Sequence, residues 1–195
     1  TSRREIGHGH LARRALLPVL PGVSVWPFTV RVTSDILESN GSSSMATVCG
    51  TSLALIDAGV PLKNPVAGIA MGVLIGPNNV TILTDISEEE DACGDMDFKI
   101  AGTRNGVTAF QLDTKRSWIP TTILHNALGQ AESARVELLD HMQAATEGAT
   151  ETERSYHAYF QVDSGRVGHV IGSGGKHLQK LQASLSAQDQ LNLTP

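Results

Sequence analysis

The segment ESNGSSSM at residues 38–45 constrains the fold more than any other part of this chain. A turn and three consecutive hydroxyl residues, Ser42, Ser43 and Ser44, stand directly before an apolar pattern of helical spacing, which predicts a helix start. The pattern consists of Met45, Val48, Cys49, Leu53 and Ile56, with Gly59 and Pro61 as the stop. The first N–H groups of a helix lack internal acceptors and carry partial positive charge, so they can bind an anion. An ordinary serine N-cap needs only one hydroxyl, so the run of three favours a phosphate site.

Composition is typical of a globular chain with one real core. The 195 residues are 41% hydrophobic and 18% charged, which is enough for one domain and a small second module. No apolar run reaches the roughly 18 residues of a membrane span. Cys49 and Cys93 show no metal-ligand spacing and fit a reducing compartment.

Charge is segregated along the sequence. The net charge of -5 argues against a nucleic-acid binder. The charges are unevenly distributed, however, with a basic group near the start of the sequence and an acidic block in its middle. The basic group comprises Arg3, Arg4, His8, His10, Arg13 and Arg14, and the acidic block comprises Glu88, Glu89, Glu90, Asp91, Asp95 and Asp97. Together they suit a site that holds both phosphate and a divalent cation, whereas each alone is explained by a solvated surface patch.

Hydrophobic periodicity predicts an α+β or α/β layer domain. Strands are predicted at 25–33, 66–75, 80–86, 96–103 and 107–115, with a turn at 76–79 and a hairpin at Arg104-Asn105-Gly106. A long amphipathic helix is predicted from Pro120 to about Met142, with Leu124, Leu128, Ala131, Leu138 and Met142 on one stripe. Helices beside a hairpin-connected sheet form layers around one core.

A second module is predicted after a linker. Residues 143–155 are polar and acidic, and beyond them a strand at 156–162 and a helix at 167–171 precede a glycine-rich turn and a basic helix. The turn consists of Gly172, Ser173, Gly174 and Gly175, and Lys176 follows it. Such a turn lets a nucleic-acid backbone approach closely, and GxxG is the clamp of the KH module.

Two further groups of residues are candidates for binding. Alternation in the strand after residue 95 places Asp95, Asp97 and Lys99 on one face, where carboxylates two residues apart can share a hard cation. Asp91 is expected to join them from the preceding loop, although a solvated surface or a plain salt bridge to Lys99 explains the same residues. The second group is RREIGHGH at 3–10, in which the guanidinium groups of Arg3 and Arg4 match the geometry of phosphate oxygens. The alternative interpretation of this segment is a basic N-terminal arm without a binding role.

Several long motifs resemble the second ribonuclease-PH-like core domain of polynucleotide phosphorylases. They are RREIGHGHLARRAL at 3–16, FTVRVTSDILESNGSSSMATVCGTSLALIDAGVP at 28–61, VAGIAMG at 66–72, and ILTDI with EEDACGDMDFKIAG within 82–102. The resemblance runs from Arg3 to about Met142. The tail from about Tyr156 resembles the start of that family's KH domain, with VIGSGGK as its RNA-clamping loop.

The resemblance implies a fold and a domain order. The fold is α+β and ribonuclease PH-like (ribosomal protein S5 domain 2-like), N-terminally incomplete, over residues 1–142. A linker at 143–155 and a partial KH domain at 156–195 are expected to follow.

The resemblance also implies an activity, namely 3′→5′ exoribonuclease action by phosphorolysis of single-stranded RNA. This reversible nucleotidyl transfer releases nucleoside diphosphates and serves mRNA degradation and RNA processing. Arg3, Arg4 and His8 are expected at the phosphate and RNA-end side of the catalytic site, and Ser42, Ser43 and Ser44 are expected to bind inorganic phosphate. Asp91, Asp97 and Lys99 complete the catalytic set, with Asp91 and Asp97 as ligands of Mg²⁺ or Mn²⁺. Residues 172–176 are expected to bind RNA.

Further expectations concern assembly and completeness. Family members imply a homotrimer, in the cytoplasm if bacterial and in a mitochondrion or plastid if eukaryotic. The first core domain and the S1 domain of the family are absent, SEEED replaces a segment that often holds glycine, and the KH region ends differently. We therefore expect a fragment with weak or no phosphorolysis on its own. Two alternatives are a non-catalytic RNA-binding ring subunit of an exosome-like assembly and a phosphate-binding metabolic enzyme unrelated to RNA.

Overall fold

A computed structural model describes residues 3–147, 158 and 160–185 of the chain. The chain divides into two compact units, Thr1–Tyr156 and His157–Pro195. Each unit is described by itself below. In the described part of the chain, no helix is both long enough and apolar enough to cross a membrane.

The first unit is built on a four-stranded antiparallel sheet with the order β2-β1-β3-β4. The strands are β1 (Ala67–Ile75), β2 (Val80–Thr84), β3 (Met96–Thr103) and β4 (Gly106–Thr114). These four strands confirm the sequence prediction, with ends that differ by at most two residues. The turn between β1 and β2 is closed by Gly76 N, which donates to Asn79 O at 2.9 Å.

The strand predicted at 25–33 is wrong. This segment has no strand structure, and Phe28 and Val32, expected on a buried face, are 38% and 46% exposed. The sheet includes no fifth strand in the described residues, so the segment has no neighbour to complete a ladder. Alternation of apolar and polar residues is compatible with a strand, but a strand forms only where its backbone can make hydrogen bonds to a neighbouring strand. Pro27 also removes one donor from the segment.

Helix α1 (Arg3–Leu16) covers part of one sheet face, although only a basic arm was foreseen there. Its C-terminal half buries an apolar stripe of Leu11, Ala12, Ala15 and Leu16 against α2 (Ser43–Asp57) and β4. A short 3₁₀ turn at Leu17–Val19 follows. Burial of this stripe offsets the low helix propensity of Gly7 and Gly9.

Helix α2 confirms the predicted serine-led helix and ends before Gly59, as predicted. It lies close to β1 because Gly68 has no side chain. A Cβ added at Gly68 would stand 2.7 Å from Met45 Sδ and 3.3 Å from Met45 Cα. The absent side chain at Gly68 thus sets the height of the first turn of α2 above the sheet.

Helix α4 (Thr121–Glu147) packs on the other face of the sheet and extends five residues into the predicted linker. Its buried residues are Ile123, Ala127, Ala131, Arg135, Leu139 and Met142. Ala131 and Met142 confirm the predicted stripe, but Leu128 is 39% exposed, so its placement there was wrong. Leu128 follows the buried Ala127 directly, and successive helix positions point about 100° apart.

Two apolar layers therefore enclose the sheet. One lies between the sheet and helices α1 and α2, where Val48, Ala70 and Ile86 are buried. The other lies between the sheet and α4, where Met71 and Phe98 are buried. This arrangement confirms the predicted layer domain of α+β class.

The second unit contains two helices, α5 (Val167–Ile171) and α6 (Lys176–Ser184), with 3₁₀ turns at Ser164–Arg166 and Ser173–Gly175. Both helices confirm the sequence prediction. Residues 158 and 160–162 have no strand structure, in contrast to the strand predicted at 156–162, and residues 156, 157 and 159 lie outside the described part.

Candidate active site

The N-terminal end of α2 faces a cleft of about 230 Å³. Six of the residues singled out from the sequence line it: His8, Ser42, Ser43, Asp91, Asp97 and Lys99. They come from α1, α2, β3 and a third short helix, α3 (Glu88–Cys93), so segments up to 91 positions apart meet at one place. Ala70 and Ile86 form apolar parts of the lining.

The three serines have different positions. Ser42 is the N-cap of α2, and its Oγ accepts a hydrogen bond from Met45 N at 3.4 Å. Ser44 is 1% exposed, and its Oγ lies 3.2 Å from Ser42 Oγ, so it supports the cap from inside the protein. Ser42 and Ser43 line the cleft, and Ser44 does not. The capping role and the position at the cleft thus coincide in Ser42.

Asp91 lies on helix α3 and not in the loop that the sequence suggested. The helix begins with a capping box, in which Glu90 N donates to Ser87 Oγ at 3.2 Å and Ser87 N donates to Glu90 Oε2 at 2.8 Å. A serine followed by glutamate three residues later is the sequence signal of this motif, so the helix start was open to prediction. Ser87, Glu88 and Asp91 all line the cleft.

Asp97 and Lys99 form an ion pair on β3. The Lys99 ammonium donates to Asp97 Oδ2, and the two side chains are only 12% and 11% exposed for Asp97 and Lys99. Oδ1 of Asp97 is buried and has no hydrogen-bond partner in the described part of the chain. A buried carboxylate oxygen of this kind is a vacant acceptor that suits a cation.

Asp95 does not line the cleft with Asp97, so the structure gives no support to the possibility that these two carboxylates share one cation. Arg116 Nε donates to Asp95 Oδ1 at 2.7 Å, and Ile75 N donates to Oδ2 at 2.8 Å. The hydrogen bond from Arg116 lowers the pKa of Asp95 below its usual value, and the one from Ile75 acts in the same direction. Both oxygens are therefore occupied at the end of the sheet, away from the cleft lining.

Of the basic residues on α1, the helix brings His8 to the cleft. Arg3 and His10 are exposed, and neither lines the cleft. The side chain of Arg4 lies outside what the structure describes. The predicted roles of Arg3 and Arg4 toward phosphate and RNA remain predictions.

The carboxylates at the cleft suit one type of metal site. The described residues contain no group of three or more histidine, cysteine, aspartate or glutamate side chains able to hold a metal ion. Mg²⁺ is commonly bound through one or two carboxylates together with water and substrate phosphate oxygens. Asp91 and Asp97 fit such a partial ligand set, and Asp97 Oδ1 has no hydrogen-bond partner among the described residues.

The floor of the cleft depends on residues that the sequence reading did not single out. Asp85 has a left-handed backbone (φ 55°) and turns the chain from β2 toward α3. Ile86 N then donates to Ala70 O at 3.2 Å, and the Ile86 side chain lies over Gly72, where a Cβ would be 2.7 Å from Ile86 Cγ2. Aspartate is among the residues that tolerate this conformation, but the sequence gives no further signal for it.

In the second unit, the glycine-rich turn has the backbone that only glycine adopts readily. Gly172, Gly174 and Gly175 have φ values of 74°, 61° and 78°. A Cβ at Gly172 would stand 2.7 Å from His177 Cγ, so the turn also requires glycine for space. Lys176 begins α6 directly after the turn.

Comparisons with known proteins agree with the sequence motifs. Residues 1–61 match the family model described as 3′ exoribonuclease family, domain 1. The chain is 50% identical to a polyribonucleotide nucleotidyltransferase of Sphingopyxis alaskensis, over 95% of this chain and 24% of that protein. It is 51% identical to that of Thermus thermophilus, over 93% of this chain and 26% of that protein. The chain thus spans about a quarter of the length of the curated relatives it matches.

A structural comparison addresses the fold alone. The crystal structure of rice (Oryza sativa) Rrp46 matches with a TM-score of 0.60 and 15% sequence identity, over 74% of this chain and 66% of that one. The first unit therefore has a ribonuclease-PH-like fold, and the sequence comparisons confirm the predicted resemblance of the whole chain to polyribonucleotide nucleotidyltransferases, the polynucleotide phosphorylase family.

Proposed function

We propose that this chain is the catalytic segment of a 3′→5′ exoribonuclease that shortens single-stranded RNA by phosphorolysis. One observation carries the proposal. The serine-led end of α2 shares a cleft with Asp91, Asp97 and Lys99, so a site for an anion adjoins a site for a cation. The name of the relatives, polyribonucleotide nucleotidyltransferase, supports the same class of activity.

Inorganic phosphate would bind at the tip of α2. The first N–H groups of this helix have no intrahelical acceptor, and Ser42 and Ser43 add hydroxyl groups at the cleft. His8 reaches the same cleft from α1 and would act on the phosphate and RNA-end side, with Arg3 and Arg4 proposed beside it. Phosphate is already an anionic nucleophile, so the site needs to orient it more than to deprotonate it.

The reaction exchanges one phosphorus–oxygen bond for another. A phosphate oxygen attacks the phosphorus that links the last two nucleotides, and the bond from that phosphorus to the 3′ oxygen of the penultimate nucleotide breaks. The 3′ oxygen takes up a proton, so the products are a nucleoside diphosphate and RNA shorter by one nucleotide. The reverse reaction extends RNA from nucleoside diphosphates.

Charge stabilisation would come from the opposite wall of the cleft. Asp91 and Asp97 would hold Mg²⁺ or Mn²⁺, which when bound neutralises charge on the phosphoryl oxygens. Lys99 keeps Asp97 in place through Oδ2 and leaves Oδ1 available. Its ammonium would also add positive charge at the cleft where the phosphoryl group reacts.

RNA capture is proposed for the glycine-rich turn of the second unit. Three of the four residues of this turn between two helices, Gly172, Gly174 and Gly175, have no side chain, and Lys176 adds a positive charge. This arrangement supports backbone binding of the KH type, in which affinity falls as salt rises.

We extend the proposal to a homotrimer in the longer protein, placed in the bacterial cytoplasm or in a mitochondrion or plastid, and this part is supported by the resemblance alone.

The test compares two aspartates that lie two residues apart. Asp97→Asn removes a cleft carboxylate, whereas Asp95→Asn makes the same charge change at a residue bonded to Arg116 outside the cleft lining. Mn²⁺ binding is measured on the 195-residue protein by electron paramagnetic resonance. Phosphate-dependent ADP release from oligo(A) is measured on this protein and on the Thermus thermophilus relative with matching substitutions.

We expect Asp97→Asn to abolish both Mn²⁺ binding and ADP release, and Asp95→Asn to retain them. Equal behaviour of the two variants would contradict the proposed site. RNA binding without ADP release in the longer protein would instead favour a non-catalytic ring subunit. Binding of phosphate without any salt-dependent affinity for oligo(A) would favour a metabolic enzyme unrelated to RNA.

A further inference from the structure

Helix α3, which carries Asp91, has little to hold it in place. It is six residues long, and none of its residues is buried. A helix this short is not stable by itself in water, because so few hydrogen bonds offset the ordering of its backbone. The position of Asp91 at the cleft therefore depends on the two ends of the helix.

The N-terminal end is fixed by the capping box of Ser87 and Glu90. The C-terminal end is held from another element. Lys115, the residue after β4, donates from Nζ to Asp91 O at 2.5 Å and to Ala92 O at 2.7 Å. Carbonyl groups in the last turn of a helix lack intrahelical donors, and the helix dipole favours a cation beside them.

Lys115 itself is anchored to the end of the sheet. Its backbone N donates to Asp95 O at 3.0 Å. The next residue, Arg116, donates from Nε to Asp95 Oδ1 at 2.7 Å and from a terminal guanidinium nitrogen to Ile75 O at 3.0 Å. The ammonium of Lys115 thus connects α3 to a backbone that β1 and β3 fix.

We propose that Lys115 is a positioning residue for Asp91. By holding the carbonyl groups at the C-terminal end of α3, it keeps the Asp91 carboxylate at the same cleft as Asp97. This inference rests on the proposed function, because it assigns Lys115 a role through a cation ligand of that site. Lys115 does not line the cleft, so its proposed role is an indirect one through Asp91.

The main test is Mn²⁺ binding, with the metal alone as the probe, on the 195-residue protein and its Lys115→Met variant. We expect affinity about tenfold lower in the variant, the scale typical of lost supporting contacts around metal ligands. Lys115→Arg keeps a cationic donor and should retain most of the affinity. Lys63→Met is the matched control, since Lys63 Nζ also donates to a backbone carbonyl, Pro18 O at 3.3 Å, away from the cleft lining.

Hydrogen exchange gives an independent measurement that needs no metal. Asp91 N donates to Ser87 O at 2.9 Å and Gly94 N to Glu90 O at 2.8 Å, so both amides report on α3. We expect these amides to exchange faster in Lys115→Met, with β1 and β3 unchanged. If the Met variant does not fold, Lys115→Gln, which keeps a neutral amide donor without the charge, is expected to show the same direction of change.

The outcomes separate this inference from the proposed function. If Asp91→Asn and Asp97→Asn bind Mn²⁺ as well as the unsubstituted protein does, the proposed metal site fails. If those variants lose Mn²⁺ while Lys115→Met keeps it, or if Lys63→Met loses as much, the role of Lys115 is overturned. Unchanged exchange at Asp91 and Gly94 in the Lys115 variants would overturn it as well.

Discussion

Lys99 occupies one carboxylate oxygen of Asp97 and leaves the other oxygen buried and without a hydrogen-bond partner in the described residues. The pair lies on β3 opposite Gly72 and Ala70 of β1; Ala70 lines the cleft, and the Ile86 side chain packs over Gly72. A carboxylate held in this way is kept in place by its neighbour and still has a free acceptor for a ligand.

We expect Lys99→Met to lower the free energy of unfolding by about 1–3 kcal/mol, because it leaves the Asp97 carboxylate nearly buried without a counter-charge. The double variant Asp97→Asn/Lys99→Met should lose less than the sum of the two single changes. Urea unfolding measures all three. Arg104→Met is the control, since the Arg104–Asp140 pair has side chains 42% and 63% exposed and should cost less than about 1 kcal/mol.

We expect Gly68→Ala to weaken the packing of α2 against the sheet. The new Cβ would stand 2.7 Å from Met45 Sδ and 3.3 Å from Met45 Cα, so the Met45 side chain must turn away and the first turn of α2 must shift slightly. We expect a loss of about 1–3 kcal/mol in unfolding free energy, typical of an overpacked core. Phosphate should also stabilise the variant less than the unsubstituted protein against urea, because Ser42 and Ser43 move with that turn.

Gly129→Ala on α4 is the control for this change. An added Cβ at Gly129 meets nothing within 4 Å, so the substitution should be neutral or should stabilise the helix by about 1 kcal/mol. Equal losses in the two variants would contradict the contact between Gly68 and Met45 as the cause.

We expect the contribution of Asp95 to stability to disappear in acid. The hydrogen bond from Arg116 lowers the pKa of Asp95 from its usual 3.8. A carboxyl group with a lower pKa in the folded protein adds stability above the unfolded value, and this is lost as pH falls through the folded value. The stability gap between the unsubstituted protein and Asp95→Asn should therefore be constant near neutral pH and should shrink below about pH 4. A difference in unfolding free energy between the two proteins that persists to the lowest pH at which both fold would contradict this prediction.

We expect the two cysteines to react at different rates with iodoacetamide. Burial raises the pKa of the half-buried Cys49 thiol above its usual 9.0, whereas Cys93 is exposed. Only the thiolate reacts, so at about pH 8 Cys93 should be alkylated first and Cys49 slowly. Mass spectrometry of the labelled peptides measures both rates. In urea the two rates should converge, and a large difference that persists there would argue against burial as its cause.

Much of the fold was open to prediction because its signals are local. The four strands, the turn at 76–79, and helices α2 and α4 follow from residue periodicity and from glycine and proline at their ends. The serine-led start of α2 was equally readable, since capping involves residues next to each other in sequence. The long motifs of the sequence also carry the family resemblance by themselves.

Other features depended on contacts between distant segments. Alternation alone placed Asp95 with Asp97, but Arg116, 21 residues further on, binds Asp95, and only Asp97 reaches the cleft. Residues 25–33 have the residue pattern of a strand but no neighbouring strand to pair with. Helix α1 contains two glycines that argue against a helix, and it forms because it buries an apolar stripe against distant segments.

By itself, the sequence determined which residue types were available for phosphate and metal and which local structures carried most of them. Only the tertiary structure decided which of these side chains meet. Local periodicity describes how a segment presents its residues, whereas burial and hydrogen bonding between distant segments determine what those residues contact. The cleft that brings Ser42, Asp91 and Asp97 together results from these contacts between distant segments.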